Sequence, residues 1–511
     1  MKILTDLEYL KKPWYSKFGY KFLLFFALIP QKFMGLIRKI GNFFKKIGLA
    51  IAKVCKDIVF TFVHGDWKAR LSYLFMGFGN IARGQVLRGV MFLAIEAAFI
   101  FYMIYVGIPY LAKLGTLGEV ATTTYTETQI IAGRPREVEV TVYGDNSFKI
   151  LLYGVLTLFF IVALVYSWYL NIKQNKIAME ILRSGKPLRS SKGDLKSLVD
   201  DQFHKSLLAL PTLGILIFTV LPTVFMILIA FTNYDANHMP PLNLFQWVGW
   251  RNFGQIFSWS NGNNAFAYTF GEILLWTLIW AFFATFTNYF LGMLVALAIN
   301  KKGIKGKKIF RGILVLTIAV PQFISLLYIS NMFGTDGIVN RTLLSWGWIS
   351  QPLPFFTNAT WARITVIVIN IWVGIPYLML MISGVLMNIP ADLYESAKID
   401  GANAWQQYVK ITLPYTLFVT GPYLLTSFTG NMNNFNVIYL LSGGGPKTNI
   451  AMSSSAGETD LLVTWLFKLT MNDKNYYMAS VIGILVFVVV AFISLIVYNI
   501  LPSVKNEEEF Q

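Results

Sequence analysis

Charge is scarce in this sequence. Only 14% of its 511 residues are Asp, Glu, Lys or Arg, against about 25% in an average soluble domain, which argues against an ordinary cytosolic enzyme. A single cysteine, Cys55, excludes a disulfide framework, and three histidines leave little material for a histidine-rich metal site. No Gly-x4-Gly-Lys-Ser/Thr, His-Glu-x-x-His, Cys-x-x-Cys or Gly-x-Ser-x-Gly occurs. Neither a P-loop nor the common hydrolase signatures are therefore available. The run Gly443-Gly444-Gly445-Pro446-Lys447-Thr448 imitates a phosphate loop only superficially, since it lacks the first glycine spacing and is broken by proline.

Apolar residues are abundant instead, at 55% of the chain with 16% aromatic. A membrane-crossing helix needs roughly 20 consecutive, mostly apolar residues. Eight segments meet that length: Val90–Leu111, Ile150–Leu170, Leu207–Phe231, Ile273–Ala298, Ile313–Met332, Ile364–Leu386, Tyr415–Leu440 and Met478–Leu501. The seventh is the most polar, with Asn431, Asn433, Asn434 and Asn436 in its second half. An all-α integral membrane protein with eight transmembrane helices is the expected fold.

The net charge of +17 first leaves two partners open, nucleic acid and an anionic membrane surface. Sorting the basic residues by loop decides between them. With both termini on one side, that side collects 33 of the 43 Lys and Arg. Basic residues accumulate on the cytoplasmic side, so both termini are predicted to be cytoplasmic and no nucleic-acid partner is needed. Residues 1–89 form a basic, amphipathic region whose one dense apolar run, Phe22–Ile29, is too short to span. The stretch Phe33–Phe60 alternates apolar and basic faces in the manner of a helix lying against membrane lipids.

The rest of the chain divides into a peripheral hairpin with its cytoplasmic linker (90–206), a six-helix working core (207–501) and a short tail (502–511). The external loop 112–149 carries the alternation Glu137-Val138-Glu139-Val140-Thr141-Val142, which predicts a short strand pair. Glu96 and Glu272 are carboxylates within or at the ends of spans one and four. Intramembrane acids can relay protons, but structural pairing is the simpler expectation.

The loop between spans six and seven carries the mechanistic signal. It reads Asn388-Ile389-Pro390-Ala391-Asp392-Leu393-Tyr394-Glu395-Ser396-Ala397-Lys398-Ile399-Asp400-Gly401 and continues to Ile411-Thr412-Leu413-Pro414. Asn388 is placed to cap a helix, Pro390 to occupy its first turn, and Asp392 and Glu395 to complement its positive end. Gly401 is placed to end that helix in a left-handed conformation. A helix, a glycine break and a second helix hung outside the membrane suit a lever worked by a cytosolic partner.

This loop resembles the EAA motif of permease subunits of ABC importers, with Glu395, Ser396, Ala397, Asp400, Gly401, Ile411, Leu413 and Pro414 at matching spacing. Ser396 stands where the pattern has alanine. The resemblance narrows to the maltose/maltodextrin (MalF-like) branch through Trp372-Val373-Gly374-Ile375-Pro376-Tyr377, the Asn-rich run Ser427–Phe435, and Gly443–Pro446 with Ala456–Val463. It implies a MetI-like six-helix core and a coupling helix seated on an ATPase subunit. It also implies that ATP and Mg are bound by partners, that this chain carries no cofactor and that it is not itself an enzyme. The implied partners are a MalG-like second permease, two ATPase subunits and an extracellular sugar-binding protein.

Carried over position by position, Val373, Gly374, Tyr377, Ser427, Gly430, Asn431 and Asn434 are the expected sugar-contacting residues. Gly430 stands where the relative has an aromatic. Two departures mark a variant of Gram-positive type. The loop 232–271 is too short for the large external domain of the enterobacterial form, and the basic N-terminal arm is additional. Against this stand three alternatives: a permease for another oligosaccharide, a proton-coupled carrier working through Glu96 or Glu272, and a non-transporting membrane scaffold.

Overall fold

In a computed structural model, the residues described are 48–131, 134–257, 265–301, 303–449, 452–453 and 455–500, with isolated positions between 38 and 46. The run Phe22–Ile29, the first part of the amphipathic stretch and the tail lie outside them. The chain falls into two compact units, residues 1–112 with 153–216, and residues 113–152 with 217–511.

Among the described residues, six helices are long and apolar enough to cross a membrane. They are α1 (Val86–Lys113), α2 (Ser147–Arg183), α3 (Phe203–Ile229), α4 (Ala265–Asn300), α7 (Ala359–Met387) and α12 (Tyr476–Ile500). Two of the eight expected spans are interrupted. The span expected over Ile313–Met332 is a pair, α5 (Lys307–Ala319) and α6 (Gln322–Met332), meeting at 91°. Proline accounts for the bend: Pro321 has no N–H to donate and forces the residue before it out of the helical region. Val320 is accordingly extended, with φ −77° and ψ 125°.

The span expected over Tyr415–Leu440 is α9 (Leu413–Met432) followed by the short α10 (Phe435–Leu441). The Asn-rich run is where it breaks. Asn434 caps α10 by accepting from the Val437 amide at 3.3 Å, so one of the asparagines that interrupts the span also restarts it.

Between α1 and α2 the predicted strand pair is present. β1 (Thr123–Ile131) and β2 (Arg134–Val142) are antiparallel, Thr123 opposite Val142 and Ile131 opposite Arg134. In the smaller unit, helix 48–64 is tied to α2 by an Asp57–Lys176 ion pair of 3.0 Å, and to the turn around Tyr73 by a hydrogen bond from the Tyr73 hydroxyl to the Ile58 carbonyl. α1 and α2 approach closely at Gly107, which is buried, and Tyr102 and Thr157 share a hydroxyl contact of 3.0 Å beside it.

The larger unit is organised around α4. Its Ile273, then Trp276 and Trp280, then Tyr289 and Met293 enter three successive apolar clusters. Close contact with α7 depends on glycine from both sides. A Cβ at Gly292 would lie 2.7 Å from the Leu378 Cβ, and one at Gly374 would lie 2.4 Å from the Asn288 Nδ2. Small residues at such crossings let two backbones approach where lipid supplies no hydrophobic driving force.

Candidate functional site: the membrane cavity, the outer loop and the coupling loop

The asparagines of α9 are held by α4. The Asn431 side-chain amide donates to Thr285 Oγ1 at 3.0 Å, and the Asn431 backbone carbonyl accepts from the Trp280 indole at 3.1 Å. Asn434 donates to Asn431 Oδ1 at 3.3 Å, while Asn433 bonds back to the Thr429 carbonyl and faces outward. Ser427 lies one turn before Asn431 and adjoins Tyr423, whose ring centroid stands 6.2 Å from that of Tyr377 on α7. The two sets of expected sugar contacts are therefore joined through Tyr377, Tyr423 and Ser427. Gly430 is exposed, with open space where a side chain would stand.

Gly374 looks the other way, into Asn288. Beside it, Asn288 Oδ1 and Asn370 Nδ2 are buried with no hydrogen-bond partner among the described residues. An unpaired buried polar atom costs about 1–3 kcal/mol, so this stretch of the α4–α7 seam is a place where a water or hydroxyl is favoured. Val373 and Tyr377 face the bend of the broken span across a cavity of about 390 Å³.

The loop between α10 and α11 (Leu462–Met471), expected on the outer side and called the outer loop below, is bound far more tightly than its glycine content suggests. Asp460 accepts from Lys468 Nζ at 2.6 Å, Thr464 Oγ1 at 2.9 Å and the Gly457 amide at 2.8 Å. Asp460 and Lys468 are both buried. Burial pushes the Asp460 carboxyl above its ordinary value, and Lys468, Thr464 and the Gly457 amide oppose that rise. Gly444 closes over the pair with φ +79°, and a Cβ there would overlap Asp460 Oδ1. Glu458 pairs with Arg363 of α7 at 2.9 Å, and the Thr459 carbonyl accepts from the Trp276 indole of α4 at 3.2 Å. The sequence marked Gly443–Pro446 and Ala456–Val463 as one external loop, but their mutual fastening to α4 and α7 had no sequence signal. It depends on contacts between residues 95 and 183 positions apart.

The coupling loop is built differently. Its first helix, α8 (Ala391–Ile399), ends as the left-handed glycine predicts. Gly401 has φ +79°, its amide donates to the Lys398 carbonyl at 3.0 Å, and the Ala402 amide donates to the Ala397 carbonyl at 2.8 Å. These are the two bonds of a Schellman cap. The N-terminal expectation is corrected. Asn388 is the C-cap of α7, and Pro390, not a side-chain donor or acceptor, occupies the N-cap of α8. The physical reason is that α7 runs on to Met387, leaving Asn388 and Ile389 as its exit.

After the break, Asn403 and Gln406 form a reciprocal capping box with bonds of 2.9 and 2.8 Å. A π-type turn over Tyr408–Thr412 then leads into Leu413 and Pro414 at the start of α9. Tyr394 and Thr412 share a hydroxyl contact of 2.8 Å that ties α8 to this re-entry. Glu395, Ser396, Asp400 and Gly401 are exposed, as are Leu393, Ile399 and Trp405, whereas Ala397, Ile411 and Leu413 are half-buried.

Of the two intramembrane acids, Glu96 has a structural partner. Glu96 Oε2 accepts from the Met76 amide at 2.7 Å, and Glu272 sits half-buried on α4. No cluster of three potential metal ligands occurs among the described residues.

Residues 288–506 match the family described as the binding-protein-dependent transport system inner membrane component. The maltodextrin transport system permease protein MalC of Streptococcus pneumoniae is 35% identical over 453 residues, covering 86% of this chain and 97% of that protein. The galactooligosaccharides transport system permease protein GanP of Bacillus subtilis is 37% identical over 368 residues, covering 71% and 85%. The maltose/maltodextrin transport system permease protein MalF of Escherichia coli is 32% identical over 253 residues, covering 49% and 48%. With apolar helices of spanning length and the loop geometry above, this chain belongs to that family and is a transmembrane permease subunit of an ABC importer, a transport component whose ATP hydrolysis resides on partner subunits.

Proposed function

We propose that this permease carries maltose and maltodextrins, delivered by an extracellular sugar-binding protein, across a bacterial cell membrane of Gram-positive type. It works beside a MalG-like second permease and two ATPase subunits that bind ATP and Mg. Both termini face the cytoplasm, on the evidence of the basic-residue bias. The observation that carries the substrate is the 35% identity to a maltodextrin permease over 86% of the chain. The asparagine and tyrosine side chains of α7 and α9 support it, because an oligosaccharide offers hydroxyls to amides and an apolar ring face to aromatics.

Coupling runs through the exposed loop. Closure of the ATPase dimer moves α8, and Tyr394 passes that movement to Thr412 and hence to α9. α9 is 20 residues long, about 30 Å at 1.5 Å per residue, and bears Asn431 near its far end. A shift of the loop therefore changes the setting of Ser427, Asn431 and Asn434 against α4 and opens the cavity alternately to each side.

The test is reconstitution of the complete importer in proteoliposomes. Maltodextrin with the binding protein is expected to raise ATPase activity, and Gly401→Leu is expected to abolish that stimulation. Space around Gly401 is open, so the backbone penalty of about 1–2 kcal/mol leaves the fold intact and the loss reports coupling. Stimulated ATPase that survives Gly401→Leu would sink the coupling role. The GanP similarity of 37% favours a second reading, a galactooligosaccharide cargo. Stimulation by β-linked galactosides and none by maltodextrin decides for it.

A further inference from the structure

The strand pair between α1 and α2 stands on a fixed foot. There the Asp145 carboxylate accepts from Lys113 Nζ and from the amides of Glu119 at 3.0 Å and Val120 at 3.3 Å, and the Asp145 amide donates to the Val120 carbonyl at 2.6 Å. The Trp247 indole donates to the Leu114 carbonyl at 2.9 Å, and the Phe148 ring meets Phe225 of α3 edge-on at 5.2 Å. The foot is thereby fastened to α3 and to the loop that follows it.

Beyond the foot the strands are uncovered. β1 and β2 make a two-stranded sheet with no third strand among the described residues, so each keeps one row of backbone N–H and C=O groups outside the ladder. Tyr125 lies opposite Val140, and the period of two puts Val138 and Val142 on the same face. Tyr125 is 51% exposed, Val142 50%, and Ile130 on the opposite face 79%. A ribbon with free edges and an uncovered aromatic suits a partner that adds a strand. Its size selects the kind of partner. Nine residues per strand give an edge of about 30 Å, and the two strands offer roughly 300 Å² a face. A permanent subunit contact buries about 2,000 Å² or more in total, whereas contacts that form and break lie below about 1,200 Å². The family is binding-protein-dependent, and a binding protein that delivers cargo must arrive and leave in every cycle, which a second permease need not.

We propose that the β1–β2 ribbon is a docking element for the external binding protein, which lays an extended segment along one free edge and covers Tyr125, Val140 and Val142. The inference rests on the orientation and the binding-protein delivery proposed above. The fixed foot holds the ribbon in one place, so little ordering is left to be done when the partner arrives.

The experiment titrates the complete importer in proteoliposomes with its maltodextrin-loaded binding protein and reads the concentration that half-saturates ATPase stimulation. Replacing residues 123–142 by a short Gly-Ser linker is expected to raise that concentration about a hundredfold. The linker closes a gap of only about 5 Å, the distance between facing strand residues, and leaves the Asp145 foot in place. Tyr125→Ala with Val142→Ala, both exposed, is expected to raise it about tenfold while the maximal rate is kept, the scale of losing an aromatic anchor. An unchanged half-saturating concentration in both variants overturns the docking role. Loss of the second permease from the purified complex on removing the ribbon also overturns it, because the ribbon is then a subunit contact. Thr128→Cys in a Cys55→Ser chain reports the side: an impermeant maleimide added to intact cells is expected to label it, and labelling only after permeabilisation overturns the orientation. A parent importer that the binding protein fails to stimulate overturns the delivery reading itself, a result distinguishable because it precedes any substitution.

Discussion

Two loops of the larger unit carry its most recognisable sequence patterns, and the structure treats them in opposite ways. From Ser442 to Lys468 the outer segment pairs its charged groups internally, leaving only Ser455 Oγ and Trp465 Nε1 buried without a hydrogen-bond partner among the described residues. Its aspartate, lysine, threonines and glycines bond to one another and to α4 and α7, and Asp460, Lys468 and Thr459 are buried. The coupling loop from Asn388 to Pro414 satisfies its backbone with caps, yet leaves Ile399 at 87% and Trp405 at 70% exposure. A motif whose side chains are consumed internally is a clamp. One whose apolar side chains remain uncovered outside the spans suits a partner, which is why the second loop, not the first, is the one proposed to meet the ATPase.

Four tests sharpen or break this contrast, in descending order of their effect on folding. Asp460→Ala removes one member of a buried pair and is expected to cost about 3–5 kcal/mol by leaving the Lys468 charge uncompensated. It should appear as a large fall in thermal midpoint in detergent, and Asp460→Asn with Lys468→Met should recover much of it. A small effect of the single change would show that the outer loop is not the clamp described. Gly444→Ala adds a Cβ that overlaps Asp460 Oδ1 at a backbone φ of +79°. About 2–3 kcal/mol of destabilisation is expected from overpacking and the left-handed backbone together, read from the same melting curve.

Tyr394→Phe deletes the hydroxyl that meets Thr412. A stability loss near 1 kcal/mol is expected, with a larger proportional loss of binding-protein-stimulated ATPase, since the bond links the two halves of the coupling loop. Equal proportional losses would demote it to a packing contact. Ile399→Ala with Trp405→Ala, both on the exposed side, should change stability by no more than about 0.5 kcal/mol while sharply reducing recovery of ATPase subunits in a pull-down. Full recovery would place the docking surface elsewhere.

Much of this molecule was legible residue by residue. The continuous spans stand out because a lipid-crossing helix must be apolar along its whole length. Gly401 was readable because a glycine one residue past a helix end has few other uses, and the strand pair because Glu137–Val142 alternates with period two. The broken span reads from the sequence as one continuous span, Ile313–Met332, although a proline within it is a local signal of a break. Pro321 announces an irregularity, but its magnitude of 91° depends on what α6 packs against, including the Ser330 hydroxyl bonded to the Leu441 carbonyl at 2.6 Å. Asn388 was misplaced because helix exits and helix entries favour the same short polar residues, and only the run of α7 to Met387 decides which end it serves.

The candidate site was legible in composition and not in arrangement. The asparagines were visible, whereas their holders, Thr285 and Trp280, lie 146 and 151 residues away. The resemblance makes Gly374 an expected sugar contact, and its structural position adds a second demand, close approach to Asn288.

Membrane class, the predicted orientation and a loop of the coupling type followed from the sequence alone, because hydropathy, charge bias and local capping act over a few residues at a time. The fastening of the outer loop, the α4–α7 seam and the cavity beside Tyr377 were decided only by tertiary structure. They arise where helices distant in sequence meet, and a glycine or an asparagine has no local preference that could report its neighbour across such a seam.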